Sequence, residues 1–268
     1  MPELLEVEIY RHTAVRSIGR VVAAIEVLDP FGLRHGSEAS SAAAIAAAVV
    51  GSAVVEARRR GKLLLLDLAA PGAAVHATLG IRFGMTGRLL VDEAAGIDGL
   101  LYSSDRNDPA WDRFRLRFVD GGSLTVRDPR RLGGVVLDPN EDALGIDAMD
   151  LTRPQLAAAV KGSTSAVKAR LLDQHRIAGI GNLLADEILW RAGISPQAEA
   201  GRLGPARVTR LHEAVVETLR ELGERGGSHM GDVMAARRPG GQCPRDGTPM
   251  KCAQIGGRTT YWCPAHQR

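Results

Sequence analysis

From residue 52 to 138 the chain is cut into short segments, "SAVVEARRR", "KLLLLDL", "AAVHATLGIRFG", "GRLLVD", "RFRLRFVDGGSLTVRD" and "GGVVLD", separated by Gly, Asp and Pro. Segments this short and this rich in branched and aromatic residues suit strands better than packed helices. In "FRLRF" apolar and basic residues alternate, giving one face for a core and one for water, and "DGG" supplies a hairpin turn. The expectation is an antiparallel sandwich or barrel.

The flanks have another texture. Residues 3–17 are predicted to be a helix, with Glu3, Glu6 and Glu8 near its positive end and Pro2 where a missing N–H does no harm. "SEASSAAAIAAAVVG" at 37–51 reads as a second helix, Ser-rich at its start and Gly-terminated. The acidic, turn-rich "LDPNEDALGIDAMD" at 137–150 marks a boundary, after which helices are predicted at 153–161, 165–173, 182–192 and 205–225. The fold class is α+β, with expected domains at 1–140, 141–232 and 233–268.

All three cysteines fall in the last 26 residues. An odd number cannot form a disulfide framework, so metal binding is the better use. Cys243 and Asp246 are separated by two residues, Cys263 and His266 by two, and sixteen lie between the pairs. Two such knuckles can close on one tetrahedral Zn²⁺. A hairpin turning at Gly256 and Gly257 puts Ile255 opposite Arg258 and Cys252 opposite Tyr261, which leaves Cys252 about 7 Å along the strand from the knuckle. Asp246 is therefore favoured over Cys252 as fourth ligand, and Cys252 is expected to be a small buried hydrophobe.

Thirty-four Lys and Arg against 31 Asp and Glu give a net charge of +3 and a pI near 9.0, too mild to identify a partner. Placement says more: "RRRGK", "RDPRR" and "ARRPGG" recur beside glycines, as suits a phosphate-binding face. "AGIGN" at 178–182 feeds an amphipathic helix, offering backbone N–H groups and Asn182 to an anion such as a DNA phosphate. No apolar run has the roughly 18–20 residues of a membrane span, and "MPELLEVEIYRH" lacks the basic start of a secretory signal. A cytoplasmic protein is expected.

"MPELLEVE", "RRRGKLLLLDL", "FGMTGRL", "RDPRRLGG", "VKARLLDQHRIAGIGNLLADEIL" and "GGRTTYWCPAHQ" occur together in this order. Over essentially its whole length the chain resembles the formamidopyrimidine-DNA glycosylase and endonuclease VIII family. The resemblance implies an N-terminal β-sandwich, a helix-two-turn-helix region that grips DNA and a zinc-finger hairpin, in a monomer that excises damaged bases from double-stranded DNA and nicks the abasic site. It assigns Pro2 as the nucleophile once Met1 is removed, Glu3 as the acid beside it, and Lys62 as a proton donor in β-elimination. Lys168 becomes a phosphate-gripping residue, and Arg258 a residue of δ-elimination and phosphate contact. Met85, Arg130 and Leu132 match the residues that fill the void left by an extruded base.

Departures qualify what the resemblance implies. Leu132 stands where Phe is usual, which can alter opposite-base discrimination, and Leu5 replaces the proline of "PELPEVE". Residues 226–242 are short for a loop that caps a flipped 8-oxoguanine, so a preference for oxidised pyrimidines or abasic sites stands beside oxidised purines. A catalytically silent lesion-binding protein, a glycosylase for another lesion such as an alkylated base, and a sequence-reading zinc-finger regulator are the alternatives.

Overall fold

A computed structural model describes residues 2–35, 38–97, 100 and 106–268, so Met1 and Ser37 lie outside the described residues. By its contacts the chain divides into two units. The first holds Pro2 and Glu6–Glu141; the second holds Glu3–Leu5 and Asp142–Arg268.

In chain order the first part contains α1 (Leu4–Ala14), β1 (Val22–Val27), β2 (Arg34–His35), β3 (Glu38–Ala39), α2 (Ala42–Val49), β4 (Ala53–Arg60), β5 (Leu63–Ala69), β6 (Val75–Arg82), β7 (Arg88–Val91), β8 (Ala94–Ala95), β9 (Asp112–Phe118), β10 (Ser123–Arg127) and β11 (Gly134–Leu137). Two antiparallel sheets form the sandwich, one ordered β1-β9-β10-β7-β8 and the other β11-β6-β5-β4. The alternation in "FRLRF" is realised: Phe114, Leu116 and Phe118 are buried, while on the other face Arg117 is exposed and Arg113 and Arg115 are half-buried in hydrogen bonds. Leu64, Leu66, Leu68, Leu79 and Ile81 from one sheet meet Leu89, Val91, Phe114, Leu116, Leu124 and Val126 from the other in a single core. Each such side chain contributes about 1.5–3 kcal/mol by leaving water.

Two readings need correction. The predicted helix at 37–51 begins only at Ala42, where Ser41 Oγ accepts from Ala44 N at 3.0 Å, because Glu38 and Ala39 are already used in a short β-pair with Arg34 and His35. Strand β1 was not anticipated: its burial does not alternate, and pairing with β9, about ninety residues away, creates it.

The second unit continues with β12 (Ile146–Asp147), α3 (Arg153–Val160), α4 (Val167–Leu171), β13 (Ile177–Ala178), α5 (Asn182–Ala192), α6 (Pro205–Arg225), β14 (Lys251–Ile255) and β15 (Arg258–Trp262). Local signals set the helix ends. Thr152 and Gln155 form a capping box before α3, Pro205 opens α6, and Gly226, at φ 102°, closes it. Leu4, Leu5, Leu156, Leu171, Leu184, Ile188, Leu211 and Leu219 share its core. Leu5, in place of the usual proline, is a core residue of this unit.

Candidate active site and metal centre

Glu3 is completely buried, and its carboxylate sits on the N-terminus of α5. Oε1 accepts from Leu183 N at 2.8 Å and Oε2 from Leu184 N at 3.1 Å. These are two of the donors that a helix leaves unpaired at its start, so an acid 180 positions away in sequence serves as the cap. Gly181 makes this possible, because a Cβ there would lie 2.1 Å from the Glu3 carboxyl carbon. The Gly-rich turn thus holds an anion, as its sequence suggests, but the anion is the protein's own Glu3 rather than a phosphate. Asn182 likewise has a partner within the chain: its Nδ2 donates to Thr259 O at 3.1 Å.

Pro2 is buried, immediately before Glu3 in the chain. Lys62 occupies the second position of the two-residue turn between Arg60 and Leu63, after Gly61 at φ 58°. A glycine at the first central position is what such a hairpin turn needs. Arg59 braces the turn by donating to Gly61 O at 2.9 Å while its Nε holds Glu8 of α1, also at 2.9 Å. Lys62 therefore stands on a stiff hairpin, half-buried.

Met85, Arg130 and Leu132 lie on two neighbouring loops joined by Asp128. The Asp128 side chain is buried, and each carboxylate oxygen takes two donors. Oδ1 accepts from Thr86 Oγ1 at 2.5 Å and Arg130 N at 3.2 Å; Oδ2 accepts from Leu132 N at 2.7 Å and Gly133 N at 2.8 Å. Asparagine could not do this, since its amide would point N–H at N–H. The loops also touch through Gly84, at φ 56°, where a Cβ would meet the Leu132 carbonyl carbon at 2.5 Å. Arg131, at φ 57°, is held in this unusual conformation for a side-chain-bearing residue by Asp29, with Nε to Oδ2 at 2.5 Å. Arg130 and Leu132 project from this frame as exposed side chains, while Met85 is half-buried.

Lys168, expected at a phosphate, is fully buried. Its Nζ donates to Asp186 Oδ1 at 2.6 Å and Thr260 Oγ1 at 2.7 Å. Burial pulls the ammonium pKa down, and Asp186 opposes that shift. Arg237 Nε donates to the other Asp186 oxygen at 2.9 Å. Arg258 is exposed at the start of β15, opposite Ile255, and Cys252 is opposite Tyr261. Cys252 itself is exposed, not the buried hydrophobe expected, because it faces outward on the hairpin.

Cys243, Asp246, Cys263 and His266 converge, with one donor atom from each lying within 4.8 Å of all the others. Cys243 Sγ to His266 Nδ1 is 3.7 Å, Cys263 Sγ to Asp246 Oδ2 3.4 Å, and His266 Nδ1 to Asp246 Oδ2 3.2 Å. Tetrahedral bonds of 2.0–2.3 Å put donor atoms about 3.3–3.8 Å apart, close to these three separations, and two thiols, an imidazole and a carboxylate are a donor set that suits Zn²⁺. Trp190 Nε1 donates to Cys243 Sγ at 3.3 Å, a contact that orients a ligand. Thr248 N–H holds the Asp246 carboxyl well below the usual carboxylate range.

Sequence reasoning passed over Asp128 and Asp186. The Asp before Pro in "RDPRR" is a residue type that turns back onto its own backbone, and Asp186 is an acid among the buried residues of α5.

A sandwich with a braced hairpin lysine, joined in one chain to a helical unit with a side-chain-capped helix and a metal-type finger, defines a helix-two-turn-helix protein with a finger hairpin. Residues 1–135 match the formamidopyrimidine-DNA glycosylase N-terminal domain and residues 142–233 the formamidopyrimidine-DNA glycosylase H2TH domain. The chain belongs to the formamidopyrimidine-DNA glycosylase family. It is 34% identical to the formamidopyrimidine-DNA glycosylase of Acidovorax ebreus and 35% identical to that of Burkholderia cenocepacia, with all of each chain covered. Its fold is similar to that of the Lactococcus lactis formamidopyrimidine-DNA glycosylase non-covalently bound to DNA containing an abasic site, with a TM-score of 0.80, 25% identity and full coverage of both chains.

Proposed function

We propose that the protein is a base-excision repair enzyme, a DNA glycosylase and abasic-site lyase that acts on oxidised bases in double-stranded DNA. The observation that carries the mechanism is the Glu3 carboxylate, locked by two N–H groups of α5 one residue after Pro2. With Met1 removed, Pro2 N is a secondary amine that attacks C1′ of the damaged nucleotide as the bond to the base breaks. The Glu3 carboxylate takes the proton that Pro2 N sheds on attack and hands it to the sugar ring oxygen, opening the ring as the iminium forms. Glu3, again a carboxylate, takes a C2′ proton as the 3′ phosphate leaves in β-elimination, with Lys62 as proton donor to the departing phosphate. Arg258, with its very high pKa, suits phosphate contact and support of δ-elimination better than general-acid work. Met85, Arg130 and Leu132 fill the stack, carried on the loops that Asp128 ties together.

Cys243, Asp246, Cys263 and His266 would hold one structural Zn²⁺, which crosslinks the finger and takes no part in the reaction. Zinc content lost from Asp246→Ala and kept in Cys252→Ala is the expected result; the reverse would replace Asp246 by Cys252. Residues 226–242 are taken up by short helical turns and by anchors such as Val233 N on Glu187 at 3.0 Å. That favours oxidised pyrimidines or abasic sites as substrates at least as good as 8-oxoguanine. No helix among the described residues is long and apolar enough to cross a membrane, and a cytoplasmic monomer working on the chromosome is the reading we adopt.

Borohydride trapping on abasic-site DNA tests the mechanism. The mature protein forms a covalent adduct and Pro2→Gly forms far less; equal trapping by the two would remove Pro2 from the reaction. A panel of single-lesion duplexes then ranks oxidised purines, oxidised pyrimidines, an alkylated base and an abasic site.

A further inference from the structure

We propose that Lys168 is a positioning residue rather than a phosphate ligand: with Asp186, Arg237 and Thr260 it forms a buried clasp that seats the finger hairpin and sets the place of Arg258. This rests on the role given to Arg258 above.

The clasp is traced bond by bond. Lys168 on α4 donates to Thr260 Oγ1, and that hydroxyl donates in turn to Arg258 O at 2.9 Å. The chain of hydrogen bonds ends on the peptide of Arg258. The next peptide is held as well, since Asn182 Nδ2 donates to Thr259 O. Asp186 on α5 takes the buried ammonium on one carboxylate oxygen and Arg237 on the other, so two cations share one carboxylate. Lys168 and Asp186 have no exposed side-chain surface, and Arg237 has 5%. Gly256 at the hairpin turn adds close packing, because a Cβ there would lie 3.0 Å from the Ala169 Cβ on α4.

A phosphate-gripping lysine needs its ammonium at the surface. Lys168 could reach one only by leaving Asp186 and Thr260, breaking a buried ion pair and releasing the Arg258 peptide together. Arg258, by contrast, stands exposed at the end of the relay, with its fork free of that burial. Metal binding fixes the base of the finger, and the clasp fixes the hairpin beyond it. A metal at Cys243, Asp246, Cys263 and His266 alone does not determine where a side chain at position 258 points.

Two readouts on the full-length, metal-loaded protein test this. The first is the salt dependence of binding to a duplex carrying an abasic-site analogue. Arg258→Ala should lower the slope of log K against log salt by about one; Lys168→Met, which displaces Arg258, should lower it too, but should lower it no further when added to Arg258→Ala. The second is the ratio of δ- to β-elimination product. Thr260→Val, which keeps shape and removes the relay hydroxyl, should lower that ratio about tenfold, and Thr260→Ser should restore it. A slope lowered by about a further unit when Lys168→Met is added to Arg258→Ala would make Lys168 a phosphate ligand in its own right and overturn the clasp. So would a wild-type product ratio in Thr260→Val. If Arg258→Ala changes neither slope nor products, the role of Arg258 fails first and the inference with it.

Discussion

Glu3 and Asp128 are both buried carboxylates whose oxygens are occupied by backbone N–H groups, yet they do different work. Asp128 collects donors from its own loop, at positions two, four and five residues on, and from Thr86 on the neighbouring turn. Its four acceptor positions are filled, and nothing about it awaits a substrate. Glu3 collects two donors from a helix 180 residues away, and it follows the proposed nucleophile directly. The same bond type serves once to shape a loop and once to hold an acid in place. The difference lies in what stands next to the carboxylate, not in the carboxylate.

The largest effect expected from breaking this contrast is in catalysis. Glu3→Gln should slow base excision by about 10²–10⁴-fold, the usual range for loss of a general acid, and should cost only about 1–3 kcal/mol of stability, since its amide turns one N–H onto a backbone N–H of α5. Excision within tenfold of wild type would reduce Glu3 to a helix cap, no different in kind from Asp128. Asp128→Ala should instead lower unfolding stability by about 2–4 kcal/mol, because three backbone donors and the Thr86 hydroxyl lose their acceptor. Urea denaturation measures this; stability unchanged within error would show that water satisfies the loop. The smallest effect belongs to Thr86→Val, about 1 kcal/mol, as one hydrogen bond is lost and the three loop N–H groups keep theirs. A larger loss there would mean that the tie between the loops, not the loop itself, is what Asp128 supplies.

Legibility followed the range of the interactions. β5, β6, β9 and β10 were readable because a repeated apolar pattern needs only a nearby partner, and α5 and α6 because Gly193, Pro205 and Gly226 punctuate them. The hairpin register at Ile255 and Arg258 followed from the Gly-Gly turn. β1 was not readable, since the partner that makes it a strand is β9. Lys168 shows the same limit at a single residue. A lysine on a short helix reads as surface charge or a phosphate contact, and only Asp186, Thr260 and Arg237 arriving from three other segments make it a buried one.

Residue type and spacing alone therefore determined the sandwich pattern, the limits of α5 and α6, the paired knuckles of the finger and the identity of the chemically capable groups, because these depend on local geometry and on chemistry carried by each side chain. Tertiary structure decided which donor meets which acceptor. It gave the α5 N-terminus to Glu3 rather than to a phosphate and placed Lys168 beneath the finger. It also made Asp128 the tie between two loops. A buried polar group must find a partner wherever the folded chain supplies one, and that partner has no fixed distance along the sequence.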